Sequence, residues 1–221
     1  KYPEFQHKLK KVRHSIGYYC LYLGLNETAE KLDLQTTNLW VYPGYDHDLN
    51  VQKSLENPEG DFPGVYISFP SAKDPKWDEN HPGTATMEAI TFAPYEWFSK
   101  WENTKWKKRG EEYESYKEKI SERILETIYR QVPAVKDKIA YRELSTPLTT
   151  RDLGNYSRGD LYGLDHPPRR FRQKWLRPAT AIKNLYLTGQ DISTAGIVGA
   201  LFSGVLTASA IYKKNVLKEI L

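Results

Sequence analysis

The stretch from Leu185 to Tyr212, LYLTGQDISTAGIVGALFSGVLTASAIY, constrains this chain more than any other. Its apolar start, Leu185-Tyr186-Leu187, predicts a buried strand. Thr188-Gly189-Gln190-Asp191 then predicts a turn, and Ser193-Thr194 is suited to cap the helix predicted from Ala195. Lys213-Lys214 complement that helix at its C-terminal end. A strand, a glycine turn and a helix N-terminus in succession suit a phosphate or an electron-rich ring, because the free amides and the helix dipole stabilise negative charge. Gly189, Gly196 and Gly199 would let a flat ligand approach the backbone closely. Two other readings compete: a buried terminal helix whose small residues serve close packing, and a membrane span, for which the run is short and only mildly apolar.

Upstream, short aromatic and aliphatic runs bounded by turn residues predict strands at His14–Leu25, Asn38–Tyr42, Val65–Phe69, Thr84–Phe92 and Ile139–Leu144. Lys1–Arg13 reads as a basic surface lead-in, Glu27–Leu34 as a short helical connection and Val51–Leu55 as a helical turn. In Glu111–Val132, the residues Tyr113, Tyr116, Ile120, Ile124, Ile128 and Val132 share one stripe, which predicts an amphipathic helix ended by Pro133. From Ser145 to Pro178 the chain becomes a long loop rich in Arg and Tyr. The fold class expected is therefore α+β, a mostly antiparallel sheet covered by helices, followed by a glycine-rich terminal segment.

The chain has 16 Tyr, 7 Phe and 6 Trp among its 221 residues, which suits a large, flat apolar cavity or a sheet-rich domain. A net charge of +4 does not call for nucleic acid, and Lys105–Arg109, although near Trp97 and Trp101, is followed at once by Glu111 and Glu112. That basic run reads as a solvated helix start. The single cysteine, Cys20, excludes an internal disulfide framework and fits a reducing, cytoplasmic setting. The five histidines show no metal spacing, Asp46-His47-Asp48 reads as a solvated turn, and no G-x-S-x-G elbow supports a serine hydrolase. Arg151–Phe171, with Arg151, Arg158, Arg169 and Arg170 among Tyr156, Tyr162, Asp165 and His166, fits either a pocket lining or a surface loop pinned by arginine pairs. His166 and Tyr162 are the candidate proton donors.

Several ordered segments carry a family resemblance: FPSAKDPKW at Phe69–Trp77, YEWFSKW at Tyr95–Trp101, KRGEEYE at Lys108–Glu114, YGLDHPPRRF at Tyr162–Phe171 and NLYLTGQDISTAGIVGAL at Asn184–Leu201. Over nearly its whole length the chain resembles the C-terminal half of retinol saturase-like proteins, among the phytoene desaturase and carotenoid isomerase flavoproteins. The resemblance implies an FAD-dependent oxidoreductase that saturates, desaturates or isomerises a polyene or isoprenoid by hydride transfer at flavin N5. The G-x-G-x-x-G fingerprint such proteins carry does not occur here. With Lys1 in first place, the chain reads as a piece of something longer. Residues 1–178 would then form the substrate domain and residues 179–221 the last strand and helix of the FAD domain.

By that resemblance Gly189, Gln190 and Asp191 approach the ribityl chain. The amides of Gly196, Ile197 and Val198, beside Gly199, face the flavin N1–C2=O edge. The resemblance also implies an apolar polyene partner, and it leaves peripheral membrane association of the longer protein open. For this piece alone it implies weak or absent FAD binding, no turnover and self-association through the terminal helix. Tyr156-Ser157-Arg158 departs from the more apolar pattern of the saturases, which bears on the choice of substrate. Two further readings stand beside the flavoenzyme: a non-catalytic lipid or polyene-binding module, and an interaction domain using the Trp-Lys segment.

Overall fold

The computed structural model describes residues 3–220. Its strands are β1 (Tyr18–Leu25), β2 (Leu39–Val41), β3 (Val65–Ser68), β4 (Ala85–Phe92) and β5 (Ile139–Ser145). Its α-helices are α1 (Pro3–Leu9), α2 (His47–Glu56), α3 (Pro70–Lys73), α4 (Trp77–Asn80), α5 (Glu111–Gln131), α6 (Pro147–Gly154), α7 (Pro168–Phe171), α8 (Gly196–Tyr212) and α9 (Leu217–Ile220). The fold is α+β. Two compact units form: residues 17–159, and residues 1–16 together with 160–221.

The first unit is an open antiparallel sheet in the order β2-β3-β4-β1-β5. Strand alternation places Tyr19, Leu21, Leu23 and Leu25 of β1 on one face with Ala85, Met87 and Ala89 of β4, all buried. Helix α5 contributes Tyr113, Ile120, Ile124, Leu125 and Ile128 to the same core, which is the stripe its sequence predicted. Inside this core the Tyr19 and Tyr116 hydroxyls pair at 2.6 Å, so the buried phenols satisfy one another. Burial pushes the Cys20 thiol up to about 12, which leaves it an unreactive packing residue.

Several expected elements differ. Glu27–Leu34 is a turn rather than a helix, because Asp33 adopts a left-handed φ of 50° that ends any helical run. Of the lead-in, residues 1–2 lie outside the described residues and the remainder holds α1. The segment Ser145–Pro178 is not one long loop. Thr146 caps α6 with a reciprocal hydrogen bond to Thr149, Pro147 occupies the first turn, and Pro168 opens α7. Asp46 is the N-cap of α2, accepting from the Leu49 amide. Arg109 is not solvated: its guanidinium is buried, donates to Asp152 Oδ2 at 2.6 Å, and lies over the Tyr113 and Trp106 rings.

Breaking that pair tests how firmly α5 and α6 are tied. R109M removes one of the two cations paired with Asp152, since Arg151 Nε also donates to its Oδ1 at 2.8 Å, and is expected to cost about 1.5–3 kcal/mol in urea unfolding. A single variant as stable as the wild type would show that the pair contributes nothing.

Candidate functional site

Two arrangements stand out, one in each unit. In the unit of residues 1–16 and 160–221, the turn before α8 is held by five side chains, Arg170 among them. Ser203 is fully buried on α8; its Oγ accepts the Gly189 N–H at 2.6 Å and donates to the Ala200 carbonyl. One helical turn further on, the Thr207 hydroxyl lies 3.0 Å from the Leu187 carbonyl. Gln190 reaches forward, and its Oε1 accepts the Gly196 N–H at 3.1 Å. Asp191 reaches back, and its Oδ1 accepts the Leu164 N–H at 2.9 Å. A Cβ on Gly163 would lie 2.6 Å from that carboxylate oxygen, so only glycine fits there.

Beneath these bonds sits a small apolar cluster of Leu164, Leu176 and Ile192, with Val12, Trp175 and Leu187 packed against it. Helix α8 begins at Gly196 with no side-chain cap from Ser193 or Thr194, contrary to the expectation that they would provide one. The φ angles of 106° at Gly189 and 83° at Gly196 exclude ordinary residues, and both conformations keep the chain from entering the helix earlier. Leu185–Leu187 is also not a strand: Tyr186 makes a single isolated bridge to Ala179.

What this turn offers a ligand can be read atom by atom. A Cβ added at Gly189 or Gly196 would meet no atom within 4 Å, so open space lies directly against the backbone at both. Ile197 and Val198 open the helix and are 80% and 77% exposed, next to a helix N-terminus whose amides favour negative charge. Gly199 is buried. Of the expected ligand-facing groups, Gly189, Gly196, Ile197 and Val198 line that open space. The carboxamide oxygen of Gln190 and one carboxylate oxygen of Asp191 are instead engaged within the chain. The sequence reading missed Ser203 and Thr207 as anchors; hydroxyls four residues apart on an otherwise apolar helix are the signal that exposes them.

The two candidate proton donors lie in the loop before α7. Tyr162 is 43% exposed, and its amide donates to Ser15 Oγ. The His166 amide donates to Asp165 Oδ1, while its Nε2 is buried without a partner among the described residues. Burial, and then the nearby Arg170 charge, lower the His166 pKa; Asp191 and Asp165 oppose them. The ring is therefore neutral at neutral pH. The arginines of this region act as pins: Arg151 holds Tyr95 Oη and the Glu102 carbonyl, Arg158 holds Glu96, and Arg170 holds the carbonyls of Gln190 and Asp191.

In the unit of residues 17–159, the second face of the sheet is aromatic and open. Register aligns Trp40, Tyr66, Ile90, Cys20 and Ser145 in one row across all five strands. Tyr18 lies opposite Phe92, and Tyr22 lies between Glu88 and Glu143. Trp40 and Tyr141 are 64% and 60% exposed, and Tyr42 stacks on Trp40. At the β5 edge this face continues into a groove of about 920 Å³ lined by Tyr18, Tyr22, Trp106, Tyr113, Tyr141 and Tyr156, with Arg109 and Lys117. Contiguous exposed rings on a folded sheet mark a surface for a flat apolar partner.

No family model matches the chain. Curated proteins do. Over 96% of its length the chain is 36% identical to a zebrafish (Danio rerio) protein named all-trans-retinol 13,14-reductase. Over 99% it is 35% identical to the human protein of that name. Over 95% it is 34% identical to a second zebrafish protein named inactive all-trans-retinol 13,14-reductase. The chain spans about a third of the length of these relatives, 35–37% of each. No helix among the described residues is long and apolar enough to cross a membrane.

The His166 environment fixes a pH dependence. An unfolded imidazole titrates near about 6.5. Folding lowers that value, so below it the folded state binds fewer protons than the unfolded. The stability His166 contributes is complete above about pH 6.5 and is lost as pH falls through the lowered folded value. H166Q is expected to lose less stability than the wild type between neutral and mildly acid pH, read from urea midpoints. Equal losses in the two proteins would remove His166 as the cause.

Proposed function

Taking homology to the retinol saturases over nearly the whole chain as the premise, we propose that this chain is the polyene-binding part and terminal cofactor-contacting segment of an FAD-dependent oxidoreductase. Its reaction would be at a carbon–carbon double bond of a retinoid-like substrate. The open space against Gly189 and Gly196, beside the exposed start of α8, is the observation that carries the cofactor assignment. Bound there, FAD would supply the hydride chemistry.

The chain's own residues bind and orient. Gly189 and Gly196 admit a flat ring to van der Waals contact. The first amides of α8 stabilise negative charge at the ring edge, and Ser203 and Gln190 keep the turn from shifting. Ile197 and Val198 provide apolar contact that excludes water. On the sheet, the rings of Trp40, Tyr22, Phe92 and Tyr141 offer an apolar bed for a long conjugated chain, and the groove at the β5 edge gives it length. The rings favour a planar, apolar ligand and discriminate little among polyenes, which fits a retinoid and equally a carotenoid fragment. With its Nε2 buried and its charge disfavoured, His166 is poorly suited to give up a proton at neutral pH, so Tyr162 is the better-exposed donor.

Absorbance of the purified full-length gene product, and then of this chain alone, tests the reading. Flavin bands are expected in the former, with weak or no flavin in the latter. Flavin in neither, even after FAD is added, would leave a polyene-binding module without redox chemistry. In the full-length protein, G196A is expected to lower flavin occupancy while leaving the fold intact, because its added methyl fills the open space and strains a left-handed φ by about 1 kcal/mol. Removing ring contacts on the sheet (Y22A, Y141A) is expected to weaken retinol binding about fivefold each, measured by tryptophan quenching. Unchanged retinol affinity in both would place the substrate elsewhere.

A further inference from the structure

Two buried arginines carry guanidinium nitrogens without partners: Nε and Nη1 of Arg109 and of Arg170. Those of Arg109 lie against the Tyr113 and Trp106 rings, and Asp152 balances the charge. Arg170, at the end of α7, is different. It is 4% exposed, and its Nη2 donates to the main-chain carbonyls of Gln190 and Asp191. Among the described residues no carboxylate forms an ion pair with it. Asp191 spends its Oδ1 on the Leu164 amide, and Asp165 pairs with Arg13. Its guanidinium centre lies 5.4 Å from the Phe171 ring.

A buried cation bonded only to carbonyls is costly and persists where surrounding structure holds it. Arginine stays protonated even when burial lowers its affinity for the proton, as it does here. The carbonyl of Gln190 that Arg170 grips belongs to the same residue whose carboxamide accepts the Gly196 N–H at the start of α8. Charge and geometry thus meet at one turn.

We propose that Arg170 is the positioning residue of the cofactor cradle: its grip on the 190 and 191 carbonyls fixes the Gly189–Gly196 turn. Its charge, which no carboxylate among the described residues meets in an ion pair, adds to the positive end of α8 and favours the reduced form of a flavin bound there. This rests on the flavin assignment above. Reduction of a flavin by two electrons and one proton leaves one negative charge on the ring, so a buried cation nearby raises the midpoint potential.

The test uses the full-length protein as wild type, R170M and R170K. Bound flavin per chain is read from absorbance, and the midpoint from dithionite titration against a reference dye. R170M is expected to retain less flavin, with its midpoint lowered by about 30 mV for each tenfold loss of preference for the reduced form. R170K keeps the charge but not the two-carbonyl grip. It is expected to hold a midpoint near the wild-type value while flavin retention still falls. Should R170M fail to fold by circular dichroism, R170K decides: lower retention at an unchanged midpoint supports the proposal, and wild-type retention overturns it. A folded R170M with wild-type occupancy and midpoint would overturn the role of Arg170 and leave the flavin assignment standing. A wild-type protein that takes up no flavin would overturn both.

Discussion

A buried amide or carbonyl without a partner is expensive, and the turn at Leu187–Gly196 is built around that cost. Gly189 and Gly196 must adopt left-handed angles to bring the chain into α8, which takes their neighbours out of any ladder or helix. Side chains replace the lost backbone partners. Ser203 takes the Gly189 amide, Gln190 takes the Gly196 amide, Thr207 meets the Leu187 carbonyl and Arg170 takes the carbonyls of Gln190 and Asp191. Asp191 extends the same logic backwards by accepting the Leu164 amide against the bare backbone of Gly163. The turn is therefore held along its length although its regular structure is a single 3-10 turn, Gln190–Ile192. A turn so held, with open space beside two glycines, is what a flat ligand requires, since nothing has to be ordered when it arrives.

The sheet solves a different problem with the same economy. Alternation gives each strand two faces, and only one of them meets α5. The covered face is aliphatic and closed. The other carries exposed or half-buried rings on β2, β3, β1, β4 and β5 beside Glu88 and Glu143, with Trp40 and Tyr66 paired across β2 and β3 and Tyr18 opposite Phe92. Cys20 and Ser145, at the middle and edge of one row, are small and buried, so the larger rings beside them shape the surface. An open face of that composition exposes apolar area of the kind that marks a contact surface.

Much of this was legible in the sequence because it depends on local pattern. The five strands followed from short aromatic and aliphatic runs bounded by turn residues, with partial alternation in Thr84–Phe92, and α5 from a stripe spaced at three and four residues. The glycines of the terminal turn were legible as places of open backbone, and Gly189 and Gly196 have open space beside them. What was missed depends on pairing over distance. Leu185–Leu187 has the composition of a strand, but a strand exists only with a ladder, and Tyr186 bridges Ala179 alone. Ser193 and Thr194 have the chemistry of caps, yet the positive φ of Gly196 starts the helix too late for either, and Gln190 bonds the amide from six residues away. Arg109 looked solvated in a run of lysines because nothing nearby announces Asp152, which lies 43 residues later in the chain. The Thr146-Pro147 pair that starts α6 was a local signal, and it was hidden by the turn residues around it.

The relatives sharpen what this stretch can determine. A protein whose name marks it inactive is 34% identical to this chain, and those named as reductases are 35% and 36% identical. Similarity of that degree across the whole stretch goes with a shared fold, so it does not separate an active member from an inactive one. Proteins of one fold can still differ at a few atoms: the hydrogen that stands for a side chain at Gly196, the charge at Arg170, the hydroxyl at Ser203. Each of these is held by bonds from residues 163–207 and makes no call on the sheet core. A chain could lose any one of them and keep its sheet and its aromatic face. On the reading proposed above, polyene contact would rest on the sheet and cofactor contact on the turn, so a change at the turn would leave the sheet surface as it is.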